Sequence, residues 1–268
     1  MKNTMLLSLL LGPFYLAACG GGGGDDSSVL PDRLDGNLER RPGDNILNSY
    51  RKITLQTRDN KEIFLADRIE DRIAIDISNF SHGLGQIAGR LSSTDNNGQR
   101  IDEDITIRSY RGHYATIFET SALNRVFPEH RKTMGEKGLF GHAISETRFL
   151  PSNGIFTYKG MAFNNNPAND AALTYVINYG TRRGSGEIAA AGTHGKLVLE
   201  ESPIRFHFNL IGNTSAYGVK DGNVSGVADA AYTLSLAGDN AEEFIGDVHY
   251  GGADKNDHVL FLHGTHSQ

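Results

Sequence analysis

Apolar and polar positions alternate along much of the second half of this chain, and that period of two predicts half-buried β-strands. In Leu173-Thr174-Tyr175-Val176-Ile177-Asn178-Tyr179 one face carries Leu173, Tyr175, Ile177 and Tyr179. In Ile204 to Ile211 the apolar face is Ile204, Phe206, Phe208 and Leu210, with Arg205, His207 and Asn209 opposite. Ala230 to Leu236 places Ala230, Tyr232, Leu234 and Leu236 together. Phe244 to Tyr250 is expected to bury Phe244, Val248 and Tyr250 and to expose Asp247 and His249. Further strands fit Ile155–Phe163, Gly186–Ala191, Lys196–Glu200, Asn223–Ala228 and His258–His263. Turn-forming clusters separate them, among them Asn164 to Asn169, Gly180 to Gly184 and Gly251 to Asp257.

The pattern is weaker before Pro151. Ile53-Thr54-Leu55 and Ile63-Phe64-Leu65 flank Asp59-Asn60 and read as a hairpin. Ile73, Ile75 and Ile77 alternate with Ala74, Asp76 and Ser78. Ile105 to Phe118 accommodates two strands, and Ser121 to Lys137 has helical spacing cut by Pro128. These elements predict an all-β chain with an irregular antiparallel domain over residues 46–150. A second domain over 154–268 follows, joined at Pro151-Ser152-Asn153-Gly154. Its short antiparallel strands suit either an up-and-down barrel or a sandwich. The thirty-two glycines and seven prolines fit many turns.

The front of the chain carries a different signal. Lys2, an apolar stretch from Met5 and the run Leu16-Ala17-Ala18-Cys19 match a bacterial lipoprotein signal, with residues 1–18 removed and lipid, including palmitate, joined to Cys19. The stretch is interrupted by Gly12 and Pro13 and is too short to span a bilayer, which takes roughly 20 apolar residues. Cys19 is the only cysteine, so the exported fold has no disulfide. Gly20 to Gly24, Asp25, Asp26 and the prolines and charges beyond predict a flexible tether over residues 19–45.

Candidate chemistry changes this picture little. The formal charge is −6 and no Lys/Arg cluster tracks a phosphate backbone, which argues against nucleic acid as a partner. No Gly-x-Ser-x-Gly elbow occurs, and the one thiol is committed to lipid, so the expectation is a binder and not an enzyme. His249, His258, His263 and His266 gather near the C-terminus without a recognised ligand spacing, and read as exposed histidines. No cofactor is expected beyond the lipid; a haem- or metal-scavenging barrel is the alternative, and a structural envelope lipoprotein a third. Gly83 to Gly89 reads as turn glycines, because no βαβ unit surrounds it. The pairs Asp102-Glu103-Asp104 and Glu242-Glu243 read as solvated charge, since adjacent strand residues face opposite ways. Arg205, His207, Asn209, Asp247 and His249 are the expected partner-binding patch, polar and outward.

The C-terminal half also resembles the factor H binding protein family of bacterial surface lipoproteins. The residues that carry the likeness are Phe156-Thr157-Tyr158-Lys159-Gly160-Met161-Ala162-Phe163, then Leu173 to Tyr179, then Gly184-Ser185-Gly186-Glu187-Ile188. Tyr232-Thr233-Leu234 and Ala241-Glu242-Glu243-Phe244-Ile245-Gly246 continue it in the same order. The resemblance implies an eight-stranded C-terminal up-and-down barrel and a lipid anchor in the outer membrane. It also implies surface exposure through a dedicated surface lipoprotein translocator, and a host complement regulator of the factor H type as partner, for complement evasion in virulence. Two positions that are acidic in the family fall on Ala228 and His249, so fold and localisation transfer more directly than the ligand.

Overall fold

Two antiparallel β-sheets follow one another along the chain, each wrapped around its own apolar interior. The computed structural model describes residues 33–39, 52–57, 61–69, 72–94, 100–121, 140–192, 195–208, 215–250 and 258–266. The first sheet contains β1 (Arg33–Glu39), β2 (Lys52–Thr57), β3 (Glu62–Ile69), β4 (Arg72–Asp76), β5 (Gly83–Thr94), β6 (Arg100–Arg111), β7 (Ala115–Thr120) and β8 (Phe140–Ile144). Its order is β1-β4-β3-β2-β5-β6-β7-β8, and pairing of β1 with β8 closes it. Leu55, Ile63, Leu65, Ile75, Ile77, Leu91, Ile105 and Ile107 fill its interior. They are the β-branched and leucine positions that alternate in the sequence, each turned to one side by the pleat.

The second sheet contains β9 (Ile155–Phe163), β10 (Ala171–Asn178), β11 (Arg183–Ile188), β12 (Leu197–Pro203), β13 (Arg205–His207), β14 (Ala216–Ser225), β15 (Ala230–Ala237), β16 (Glu243–Tyr250) and β17 (His258–His266). Only Ile204 separates β12 from β13, and both pair with β14. They act as one bent stave, so the sheet closes as an eight-stranded up-and-down barrel. Closure leaves no long free edge.

Large aromatic side chains fill this barrel. The Tyr158 and Tyr179 hydroxyls lie 2.7 Å apart, and Tyr158 also donates to the Ala241 carbonyl at 2.5 Å. Tyr175 and Tyr232 meet at 3.0 Å, and Tyr232 donates to the Glu200 carbonyl at 2.8 Å. A buried tyrosine needs such a partner. Burial raises the Tyr179 hydroxyl, the hydrogen bond from Tyr158 offsets part of that and the nearby Glu242 charge adds to it, leaving it pushed up to about 12.

Three expectations change. Residues 33–39, assigned by composition to the tether, form β1, the strand that closes the first sheet. Leu34 and Leu38 share one side there with Gly36, but two leucines among glycine and charge are a faint strand signal. The N-terminal domain is a closed barrel, more regular than its sequence suggested. Gly83, Gly85 and Gly89 lie within the twelve-residue strand β5, not in a turn. A Cβ on Gly89 would come within 2.4 Å of the Gln56 carbonyl oxygen of the adjacent strand, so a close backbone approach explains that glycine. The helical spacing read in Ser121 to Lys137 lies, apart from Ser121, outside the described residues.

Candidate binding surface

The outward side of β16 is the natural place to look, because two of the expected partner-binding residues sit on it. Phe244, Gly246 and Val248 point into the barrel and Glu243, Ile245, Asp247 and His249 point out. All four outward residues are nevertheless buried. The N-terminal barrel covers Glu243 and Ile245 and brings His142 near Asp247. Ile245 packs with Phe163, Ala237 and Phe261 from its own barrel against Ala115, Ile117, Phe140 and Ile144 from β7 and β8. The alternation was legible in sequence; what covers the outer face was not.

The seam between the barrels is polar as well as apolar. Glu243 accepts the backbone N–H groups of His113, Tyr114 and Ala115 at 2.6, 3.0 and 3.1 Å. Its carboxylate stands 3.5 Å from His263 Nε2, close enough for charge pairing but long for a hydrogen bond. Burial alone would raise its pKa, but His263 and the amides hold it below the ordinary carboxylate value. Arg108 makes a two-pronged contact with Asp170 at 2.8 and 2.6 Å and donates to the Asn164 carbonyl at 2.5 Å. Tyr110 stacks on His263 with centroids 4.0 Å apart. His142, fully buried on β8, finds no hydrogen-bond partner among the described residues, and burial lowers its pKa to about 4 despite the charge of Asp247 nearby.

These residues correct several sequence expectations. Glu243 is not solvated charge but a buried cap on the β6–β7 turn. His263 and His249 are buried, not exposed. Glu243 was visible in sequence as an outward strand position, but only its contact with a turn 130 residues away reveals its role.

His249 lies at the outer margin of the seam. Its Nδ1 is 3.4 Å from Asp247 and its Nε2 is 3.5 Å from Asp221, which is exposed. Burial would lower the imidazole pKa, but the two carboxylates together raise it. Beside it the β14–β15 hairpin exposes Asn223, Ala228 and Asp229. These residues form a polar rim at one end of the C-terminal barrel.

Arg205 and His207 lie elsewhere. Register places Arg205 opposite Gly218, Gly218 opposite Ser235, and Ser235 opposite Ile245. Arg205 is therefore three staves from β16 and four residues short of His249 in height. The expected five-residue patch is not one surface: Asp247 and His249 belong to the seam, Arg205 and His207 to the opposite end. Asn209 and Cys19 lie outside the described residues. Phe206 and Phe208, expected inside with Ile204, are exposed. The cause is the bend after Pro203. Here β13 pairs with β14 at the end of the sheet, and among the described residues no second layer covers Phe206 and Phe208. Phe206 instead meets Tyr217 and Phe208 edge-on, each at 5.4 Å. Burial lowers the pKa of His207, helped by Lys220 and Arg205.

Among the described residues no group of three or more His, Cys, Asp or Glu side chains is placed to hold a metal ion.

Comparison with known proteins adds to this geometry. Residues 148–248 match the sequence profile of the family described as Factor H binding protein, C-terminal. No curated protein matches the chain. Among solved structures, transferrin-binding protein B from Haemophilus parasuis, a vaccine antigen, is similar at 11% identity and a TM-score of 0.41, over 81% of this chain and 45% of that one. A protein described as a surface lipoprotein is similar at 14% identity and a TM-score of 0.35, over 88% of this chain and 100% of that one. The chain thus spans less than half the length of transferrin-binding protein B.

Proposed function

We propose that this chain is a lipid-anchored outer-membrane lipoprotein, exposed at the cell surface, that binds a host protein through its C-terminal barrel. The finer reading is a complement regulator of the factor H type, captured for complement evasion. The observation that carries it is the match of residues 148–248 to the factor H binding protein C-terminal family. The run Leu16-Ala17-Ala18-Cys19 supports a covalent lipid on Cys19, with export by a surface lipoprotein translocator.

The contact surface is the polar rim of Asp221, Asn223, Ala228, Asp229 and His249. It is exposed apart from His249, and it includes Ala228 and His249, the two positions that the resemblance sets against acidic residues of the family. A polar, wet contact of this kind suits a reversible protein partner.

Surface plasmon resonance of purified factor H from several animal species over the folded chain tests the reading. Saturable binding to at least one, weakened by Asp229→Arg, is expected. Silence from all of them at micromolar concentration, with the β circular-dichroism signal intact, removes the factor H assignment.

A further inference from the structure

All four large apolar side chains exposed among the described residues lie at one end of the C-terminal barrel. They are Phe149, Ile155, Phe206 and Phe208, at 77%, 71%, 48% and 72% exposure. Register brings them to a common rim. Ile155 pairs with Asn178, Asn178 with Arg183, and Arg183 with Pro203, just before β13. Phe149 sits in the segment that crosses from the end of β15, where Glu146 bridges Ala237, to the start of β9. Single exposed apolar residues need no explanation, but a set confined to one rim does.

Arginines share this rim. Arg182 and Arg205 are exposed, and among the described residues neither makes an ion pair. With Arg183, Phe206 and Tyr217 they line an open recess of about 480 Å³. The chain as a whole is acidic, at −6. A local arginine recess walled by aromatic rings is matched to a phosphate carried on an apolar layer.

The N-terminus enters at the same end. Arg33 begins β1 and pairs with Asp76. The neighbouring Ile77 carbonyl accepts Arg111 at 3.0 Å, and Arg111 leads into the turn that Glu243 holds. Glu243 starts β16, at the same rim as Ala237 and Ile155. The described chain therefore starts near the aromatic end, fourteen residues after Cys19, a stretch that extends to at most about 50 Å. The opposite rim is a further strand length away, about 30 Å.

We infer that this end of the C-terminal barrel docks on the bilayer that carries the chain's own lipid anchor. Phe149, Ile155, Phe206 and Phe208 enter the headgroup layer, and Arg182 and Arg205 meet the phosphates of anionic lipids. The inference rests on lipidation of Cys19, proposed above. An apolar face carrying arginines unpaired among the described residues adds a second membrane contact to the lipid anchor. Docking would also fix orientation, with Asp221, Asp229 and His249 facing away from the membrane.

The absence of tryptophan makes a direct test available. Phe206→Trp and Phe208→Trp each introduce a single reporter at an exposed site, and Asn223→Trp is the control at the far rim. The full chain is reconstituted in phosphatidylglycerol vesicles with brominated acyl chains. At the two near sites the expected result is blue-shifted emission and a several-fold loss of intensity, with Asn223→Trp unchanged. Water-like, unquenched emission at both near sites in a protein that carries radiolabelled palmitate would overturn the docking face while leaving the anchor intact. The Cys19→Ala chain, without lipid, should still co-sediment with phosphatidylglycerol vesicles and not with phosphatidylcholine vesicles, and Arg182→Glu with Arg205→Glu should abolish this. If palmitate labelling fails on the parent chain while this sedimentation persists, the anchor reading falls and the docking face stands. If the near reporters shift on addition of factor H and not on addition of vesicles, this end is a protein contact and the inference is wrong.

Discussion

His142 shows how much one buried side chain can govern. It sits at 0% exposure on β8, with neither ring nitrogen hydrogen-bonded among the described residues. Its folded pKa of about 4 lies below the ordinary 6.5, because burial penalises the charged ring. The unfolded chain therefore binds a proton that the folded chain refuses between those values. The stability His142 allows is fully present above pH 6.5 and is lost as pH falls from there toward 4, by roughly 3 kcal/mol at the limit. Glu243, held below its ordinary value, loses its contribution as pH falls through its folded pKa, in the same direction. His249, raised by its carboxylates, opposes them, since its contribution is present below 6.5 and is lost as pH rises through its folded pKa. Urea unfolding at several pH values should show stability falling from pH about 7 to about 5, and His142→Leu should flatten that slope. An unchanged slope would mean that the ring is not buried neutral.

At the scale of elements, the strands of the second barrel were largely legible. Ile155–Phe163 and Ala230–Leu236 stand as expected, because strict alternation with large aromatics permits one register only. Gly160 shows what holds two of them together. A Cβ there would lie 1.8 Å from the His263 carbonyl oxygen, inside the β9–β17 ladder that brings the last strand against the first. Neither atom can rotate away. Gly160→Ala should cost about 3 kcal/mol or more, read as a lower denaturation midpoint or as insoluble protein. A loss under about 0.5 kcal/mol, the scale of an ordinary surface change, would contradict the register. The elements that were misjudged, β1, β13 and the β5 glycines, are short or glycine-rich, so local pattern carried too little information against the pull of the sheet around them.

The molecule as a whole is joined by its seam. The apolar cluster from β7, β8, β9 and β15–β17 is continuous across it, and Arg108 and Glu243 each cross it with several hydrogen bonds. A buried ion pair is weak evidence for stability, yet removing one partner strands the other and costs roughly 3–5 kcal/mol. Calorimetry should therefore record one transition for the parent chain. Arg108→Ala or Glu243→Ala should separate it into two, as each barrel unfolds alone. Two transitions in the parent chain would show that the seam does not couple the barrels.

By itself, the sequence determined the all-β class, the strands of the C-terminal barrel and which side chains point inward, because a period of two is a local property of the backbone. It also carried the run around Cys19 that matches a lipoprotein signal, and the family likeness, which are linear patterns. Tertiary structure alone decided which outward faces are free. Asp247 and His249 have the same phase as a solvent-facing pair and are nonetheless buried: His142, more than a hundred residues earlier in the chain, lies near Asp247, and Asp247 and Asp221 flank His249. Phe206 and Phe208 have the phase of a core and are nonetheless exposed, because among the described residues no second layer covers them at the end of the sheet. Alternation assigns a side to each residue, and only the packing of distant segments assigns that side to water, to protein or, as inferred for the aromatic rim, to lipid.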